Sequence, residues 1–505
     1  MKMKWNMREG TKTEEIIENG KASLLFMEKA ENTYAELEYR LPFPVTGEEY
    51  VFLPACCYDG NRFEVSKKMY PPLFTPEEAK VDMPVTITDV PRLEKDGGGV
   101  IEVTTGDTAV PCVGVWSGKE EKAVLFYTIQ EIDGINLGLA YEKGSVRVTY
   151  PHMRKNAMYL WPFMQESRDT GKDFAEGEKI EIPFQVHEFA CSSTEEFFHQ
   201  FFITRKCMGM DDSLPEPMAA ERQFEIQRSK MNRYNWKEEG EFYGTEAAPA
   251  GKMSWQPGWI GGGMYTYALM RLGGVQEWER GMKTLRHLFR QQAESGFFYE
   301  SSDEKGNPVR DIFGYPWTED WHMVRKSADV LYYLFMHYDL MKDRGEEIPE
   351  EFVKGTGKLA DAFVRLWNKY GQFGQFVSLD TGDIIVGGST AGAMIPGGLA
   401  RAAEYFNEPA YMETAEKSAE YYFDQVREHG YTTGGPGEIL QCPDSESAFA
   451  LLESLVTLYR LTGKEKWLSR SRFLAEFCSS WVVAYNYKFR EGSEFARLDM
   501  KSTGC

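Results

Sequence analysis

No CxxC pair occurs among the eight cysteines (56, 57, 112, 191, 207, 442, 478 and 505), and no Cys or His spacing matches a zinc site. Reduced thiols are therefore expected. Long hydrophobic runs are missing too: stretches such as 330–336 fall far short of the roughly 20 residues a membrane-crossing helix needs. Lys2, Lys4 and Arg8 open the chain, but no apolar h-region of a secretion signal follows them. With reduced thiols, this points to a cytoplasmic protein without a membrane partner. Positive charge is scarce: 57 Lys and Arg against 78 Asp and Glu give a formal net charge of -21. Phosphate binding needs clustered cations, so nucleic acid is not an expected partner. GxGxxG, Walker, HExxH and GxSxG motifs are all absent, which leaves nucleotide, zinc-protease and esterase readings without support. Neither a metal nor a cofactor is expected, and nothing in the sequence sets an oligomeric state.

Aromatic residues, by contrast, are plentiful: 14% of 505, including 12 Trp and 27 Tyr. Flat amphipathic rings fill cores, and they also line sites where sugars stack. The length exceeds what one core usually serves, so at least two domains are expected. From residue 23 to about 190 the apolar pattern has period two. It predicts strands at 33–39, 85–90, 100–104, 123–129, 135–141, 145–149 and 180–188, separated by turns such as Asp96-Gly97-Gly98-Gly99. Many short strands without intervening helices indicate an antiparallel β-sandwich. The segment 52–61 combines Pro54 with Asp59-Gly60-Asn61 and reads as a loop that leaves the sandwich.

After Cys191 the period becomes helical, with first helices predicted at 195–208 and 217–235. Four similar, nearly all-apolar helices then start near Trp259, His322, Thr390 and Ser445, about 63, 68 and 55 residues apart. More charged, one-faced helices at 278–292, 350–369, 411–427 and 464–484 alternate with them. Buried and one-faced helices in alternation describe the inner and outer rings of an α/α toroid. Its long loops (240–258, 296–321, 371–389 and 430–443) all enter inner helices at their N-termini and so gather on one face. A closed ring of this kind has six inner helices. Four are found, so an (α/α)6 toroid truncated before ring closure is expected, short by roughly a hundred residues on repeat length. The expected organisation is thus multidomain β + α: a sandwich over 1–191, a helical linker over 192–236 and a toroid over 237–505.

Loop 311–322 mixes rings with carboxylates and runs into the second inner helix; Glu319 and Asp320 are candidate acids, although capping the helix would equally occupy them. Loop 433–446 adds Glu438, which has no evident local duty, and Asp444, which also reads as an N-cap of the fourth inner helix. Glycoside cleavage needs one carboxyl to protonate the leaving oxygen and another to activate water or attack. These four are the expected catalytic set. Trp255, Trp259, Tyr299, Trp317, Trp321 and Gln441 stand in the same loops as sugar-binding candidates, with core packing the competing role for each ring. His322 and Arg325, three apart, would share a helix face able to hold a carboxylate-bearing sugar.

The layout, with YDGN at Tyr58, WQPGW at Trp255 and PWTEDWH at Pro316, resembles bacterial glycoside hydrolases that place a β-sandwich before an (α/α)6 toroid, relatives of uronic-acid-acting members among them. The resemblance implies hydrolysis of an oligosaccharide, glucuronides included. Three other readings remain open at this point: a polysaccharide lyase acting on a uronate glycan through Tyr299, Tyr315 or His322, a carbohydrate-binding protein without catalysis, and phosphorolysis, for which the sequence shows no defined phosphate cradle.

Overall fold

Strand 122–128 shows how the first half is built: every residue after Lys122 is buried, yet successive side chains point to opposite faces. Val124 and Phe126 enter one core, and Ala123, Leu125 and Tyr127 enter another. In the computed structural model, which describes residues 3–65, 74–83, 90–156, 164–214, 218–245, 251–258, 263–310, 313–435 and 442–505, this strand lies inside a six-stranded antiparallel sheet. Its order is Thr13–Glu18, Lys21–Phe26, Lys179–Ala190, Lys122–Thr128, Cys112–Ser117, Tyr50–Phe52. A second antiparallel sheet runs Met3–Asn6, Ala35–Arg40, Ser145–Tyr150, Gly138–Glu142, Gly99–Thr104, Arg92–Leu93. The two share one apolar core that includes Trp5, Leu37, Val103 and Val148 from one sheet and Phe26, Val115 and Ile182 from the other.

Several expected strands shift. The one expected at 135–141 is split into Ile135–Asn136 and Gly138–Glu142, and the one at 85–90 falls almost wholly outside the described residues. Met3–Asn6, Thr13–Glu18, Tyr50–Phe52 and Cys112–Ser117 had no sequence signal assigned. Three of them are outermost strands: Thr13–Glu18 has no buried residue at all and Met3–Asn6 only two, so their apolar alternation is diluted, while Tyr50–Phe52 is buried throughout but only three residues long.

The outer face of the first-described sheet is covered by α1 (Thr194–Thr204). Its Ser193 hydroxyl accepts from the Glu196 amide, and its Phe197, Phe198 and Phe201 are buried. Phe197 meets Phe52 edge-on at 5.7 Å, while on the far side Phe198 meets Phe477 at 4.9 Å. Gly114 permits this approach, since a Cβ there would stand 2.8 Å from the Phe197 ring. The core of the helical half therefore continues without a break into the sheet.

After α2 (Ala220–Lys230), which passes into a π-helical turn at Met231–Asn235, four helix pairs follow. They are α3 (Met264–Leu272) with α4 (Val275–Arg290), α5 (Val324–Asp343) with α6 (Glu350–Tyr370), α7 (Ile395–Phe406) with α8 (Pro409–His429), and α9 (Glu446–Thr462) with α10 (Glu465–Cys478). The row α3, α5, α7, α9 packs side by side, and α4, α6 and α8 back it, with α10 paired to α9 and reaching α1. Asn407 and Gly463 end α7 and α9 in the left-handed region, which makes those turns short. Helix α10 stops at Cys478, before the expected 484. Residues beyond it turn back to the sheets: Trp481 stacks on Tyr58 at 4.6 Å, the Ala484 amide donates to Ala109 O, and Tyr485 and Tyr487 donate to Thr105 O and Thr108 O. The expected loop at 52–61 makes the same junction, with Tyr58 Oη 2.8 Å from Ser480 Oγ and the Tyr50 hydroxyl donating to Gly430 O.

Candidate functional site

The long loops before α5, α7 and α9 are tied to one another in sequence, and that tying gathers them over the N-termini of the inner row, the place expected for the mouth of the site. Trp255 and Ser302 exchange backbone hydrogen bonds of 3.3 and 2.9 Å. The strand Trp321–Met323 pairs with Phe376–Ser378, which pairs in turn with Ile384–Val386, and the Val324 amide donates to Gln375 O. The Thr390 amide donates to Thr433 O and the Asp444 amide to Thr432 O. From the sheet half, residues 74–83 reach the same belt: Gly387 donates to Lys80 O, and Phe74 packs with Trp321, Met323 and Phe376.

At the mouth the first turn of α5 presents Arg325. Its Nε donates to Asp329 Oδ1 at 2.9 Å, one turn along the same helix face. Its Nη1 is buried, donates no hydrogen bond among the described residues and lies 3.7 Å from Glu446 Oε2 on α9. Asp444, 5% exposed, caps α9: Oδ1 accepts from the Ser447 amide at 2.6 Å and Oδ2 from the Gly435 amide at 3.0 Å. Gly435 is the residue that lets the loop lie on this carboxylate, because a Cβ would come within 2.3 Å of Oδ1. Burial pushes the Asp444 carboxyl up to about 6, with Glu446 adding to the rise and the two amides and Arg325 opposing it. A carboxyl that keeps its proton toward neutral pH beside a half-exposed carboxylate has the makings of an acid and base pair.

Immediately behind the mouth is a second cluster with no opening. Glu300, His322 and Lys326 are all at most 1% exposed. Glu300 Oε1 accepts from the Met323 amide at 2.6 Å and stands 2.8 Å from His322 Nδ1, and Oε2 pairs with Lys326 Nζ. His322 Nε2 is 2.6 Å from Ser327 Oγ. Burial alone would raise the Glu300 carboxyl, but the Lys326 ammonium and His322 outweigh it and hold it down to about 2.

The predicted residues divide accordingly. Asp444 and Arg325 come together. His322 does not share a helix face with Arg325; it belongs to a strand, α5 begins at Val324, and the imidazole is sealed from the mouth. Trp255 and Trp321 are core: Trp255 stands edge-on to His287 at 4.7 Å, and Trp321 packs on Phe376 at 5.1 Å. Tyr299 is half-buried, with the Arg310 guanidinium 5.9 Å from its ring. The rim carries exposed Glu319 and a stacked pair, Tyr315 on Trp317 at 4.8 Å, with Tyr315 43% exposed. Asp320 Oδ2 accepts from Ser378 Oγ at 2.7 Å, and Arg310 pairs with Asp380 at 2.6 Å across the same rim. Trp259, Glu438 and Gln441 lie outside the described residues. Sequence reasoning missed Asp329 and Glu446 as members of the site, although the spacings 325/329 and 444/446 carried the signal. Among the described residues no group of His, Cys, Asp and Glu could hold a metal ion, and no helix is long and apolar enough to cross a membrane.

No family model matches the chain, and no curated protein does. Solved structures with partial likeness include a cellobiose 2-epimerase from Bacillus thermoamylovorans (12% identity, 51% of this chain and 71% of that one, TM-score 0.36). An unsaturated glucuronyl hydrolase from Streptococcus agalactiae aligns at 11% identity over 60% of this chain and 73% of its own, TM-score 0.33. A mannosidase from Bacteroides thetaiotaomicron aligns at 13% identity over 43% and 58%, TM-score 0.29. With scores this low, none of the three assigns the fold or the chemistry of this chain.

Proposed function

We propose that this chain is a glycoside hydrolase in which a β-sandwich, 1–191, and a helical linker, 192–236, precede a toroid of α-hairpins, 237–505, and that an oligosaccharide is cleaved at the mouth of the inner helices. Asp444 serves as proton donor, and Glu446, two residues on and 37% exposed at its side chain, serves as base or nucleophile. Arg325 orients Glu446 and limits how far the Asp444 carboxyl rises. The Tyr315–Trp317 stack at the rim offers a platform for a sugar face. Glu319 and Asp320 belong to that rim, and Glu438 remains a third carboxylate of the same loop as Asp444. The observation that carries the reading is a buried carboxyl raised to about 6 beside a more open carboxylate and a partly unpaired arginine, where loops from three hairpins meet.

The test is release of reducing ends from short neutral and uronic-acid oligosaccharides by the unaltered protein and by Asp444→Asn, Glu446→Gln and Glu438→Gln. Loss of turnover in the first two supports the assignment; full turnover in both refutes it. One observation favours a second reading, sugar binding without catalysis: both Asp444 oxygens are already engaged in capping α9. Saturable binding with no product from any sugar would establish that reading. The lyase alternative loses its histidine, because His322 has no path to substrate.

A further inference from the structure

Below the mouth, the walls of α5 and α9 that face each other carry polar and aromatic side chains that the proposed cleavage does not use. Seven residues past Arg325, the Tyr332 hydroxyl donates to Glu453 Oε1 at 2.6 Å, and Glu453 is itself seven residues past Glu446. Two cross-helix contacts, Arg325 with Glu446 and Tyr332 with Glu453, therefore form rungs about 10 Å apart at 1.5 Å of rise per residue. Helix α7 lies recessed behind them because it is small there: the Gly397 amide donates to Ser454 Oγ, and a Cβ on Gly397 would stand 3.0 Å from Ser454 Cα and 3.4 Å from the Tyr332 ring.

Phe449, 43% exposed, stands on α9 between Glu446 and Glu453, and Tyr333, half-buried, follows Tyr332 directly on α5. Tyr333 lies close enough to Asp329 and Glu453 for both charges to add to the rise that burial gives its hydroxyl. Glu453 is exposed, fixed by Tyr332 through one oxygen, and its other oxygen takes no hydrogen bond among the described residues. An apolar ring standing in solvent beside an oriented, half-used carboxylate suits the two sides of a pyranose. Its C–H face packs on the ring, and its hydroxyls donate to the carboxylate. The charge on this wall narrows the class. Among the described residues Arg325 is outnumbered by Asp329, Glu446 and Glu453, so a uronate would enter an excess of negative charge, whereas an uncharged sugar would not.

We infer that Phe449, Tyr333 and Glu453 form a second subsite, one step down the inner wall from Asp444, that binds an uncharged sugar ring of the oligosaccharide. The inference rests on the reading of the mouth as a sugar site, and it makes the substrate a neutral chain that runs from the rim down along the inner helices.

Calorimetric titration with short cello-, manno- and xylo-oligosaccharides, and with trigalacturonate as the charged comparison, tests it in the unaltered protein, Phe449→Ala, Glu453→Gln and, as control on an exposed position of α10, Leu468→Ala. Phe449 and Glu453 are exposed, so both variants should melt as the unaltered protein does. The expected result is that a neutral oligosaccharide binds, that each of the two inner-wall variants weakens it at least about fivefold, the loss of one good contact, and that Leu468→Ala does not. Unchanged affinity in both inner-wall variants, or preference for trigalacturonate, overturns the subsite. Weakened binding in those variants together with undiminished turnover in Asp444→Asn sustains the subsite and sinks the catalytic assignment instead. If no sugar binds the unaltered protein, both fall.

Discussion

Glu300 and Asp444 are both carboxyls almost removed from water, at 0% and 5% exposure, and they sit at the N-termini of α5 and α9 in the inner helix row. Their protonation is driven in opposite directions. Glu300 touches the Lys326 ammonium and is held to about 2, whereas Asp444 is held by amides, has Arg325 only at a distance, and rises to about 6. The difference shows which buried charge holds the fold and which is free for chemistry. A carboxylate saturated by a sealed cation is a brace for the loop that leads into α5. One left half-compensated, held by amides with a guanidinium only at a distance, can give up a proton near neutral pH.

The sharpest break in this comparison is chemical. Asp444→Asn keeps an acceptor for the Ser447 amide but turns its NH2 toward the Gly435 amide, so it should melt several degrees below the unaltered protein, while oligosaccharide turnover per folded molecule falls at least about 10²-fold, the usual share of a general acid. Glu300→Gln should do the reverse. Leaving Lys326 buried without its partner costs about 3–5 kcal/mol, seen as a large fall in melting temperature, while turnover per folded molecule persists. Acid and base stability separate the two again. The Glu300 contribution is present above its unfolded value near 4.5 and is lost as pH falls toward 2, so Glu300→Gln should flatten acid unfolding in that window. Asp444 carries the opposite sign: its contribution is full below 3.8 and disappears as pH rises through about 6, and Asp444→Asn should remove that loss. A smaller effect comes from Arg325→Leu, which takes away a charge that holds the Asp444 carboxyl down, so the alkaline limb of turnover should move to higher pH. The smallest is Trp317→Ala, expected to raise KM a few-fold through lost stacking at the rim and to leave the melting temperature alone.

Much of the helical half was legible because its helices are patterned by burial. The inner starts expected near His322, Thr390 and Ser445 fall within about five residues of α5, α7 and α9, and the turns at Gly273-Gly274 and Asn407 stand where the glycine and asparagine signals put them. The short strands Trp321–Met323 and Phe376–Ser378 were not legible. Each is three residues long, and they exist only because loops from different hairpins pair. That pairing is also why His322 was misplaced: period alone continued the helix back through a residue that tertiary contact holds extended. Trp255 illustrates a limit of composition, since a tryptophan in a loop at the correct face turned out to be packing against His287. Asp444 could be read both as a cap and as an acid, and it does fill the cap. What no spacing could supply was the near-complete burial that separates it from an ordinary surface N-cap.

The most direct test is the pH profile of oligosaccharide turnover in the unaltered protein, Glu300→Gln and Asp444→Asn, measured below the melting temperature of each. The first two should share an alkaline limb centred near pH 6, and the residual rate of Asp444→Asn should lack it. A limb that persists in Asp444→Asn, or one that vanishes in Glu300→Gln, would contradict the division between the sealed brace and the open acid.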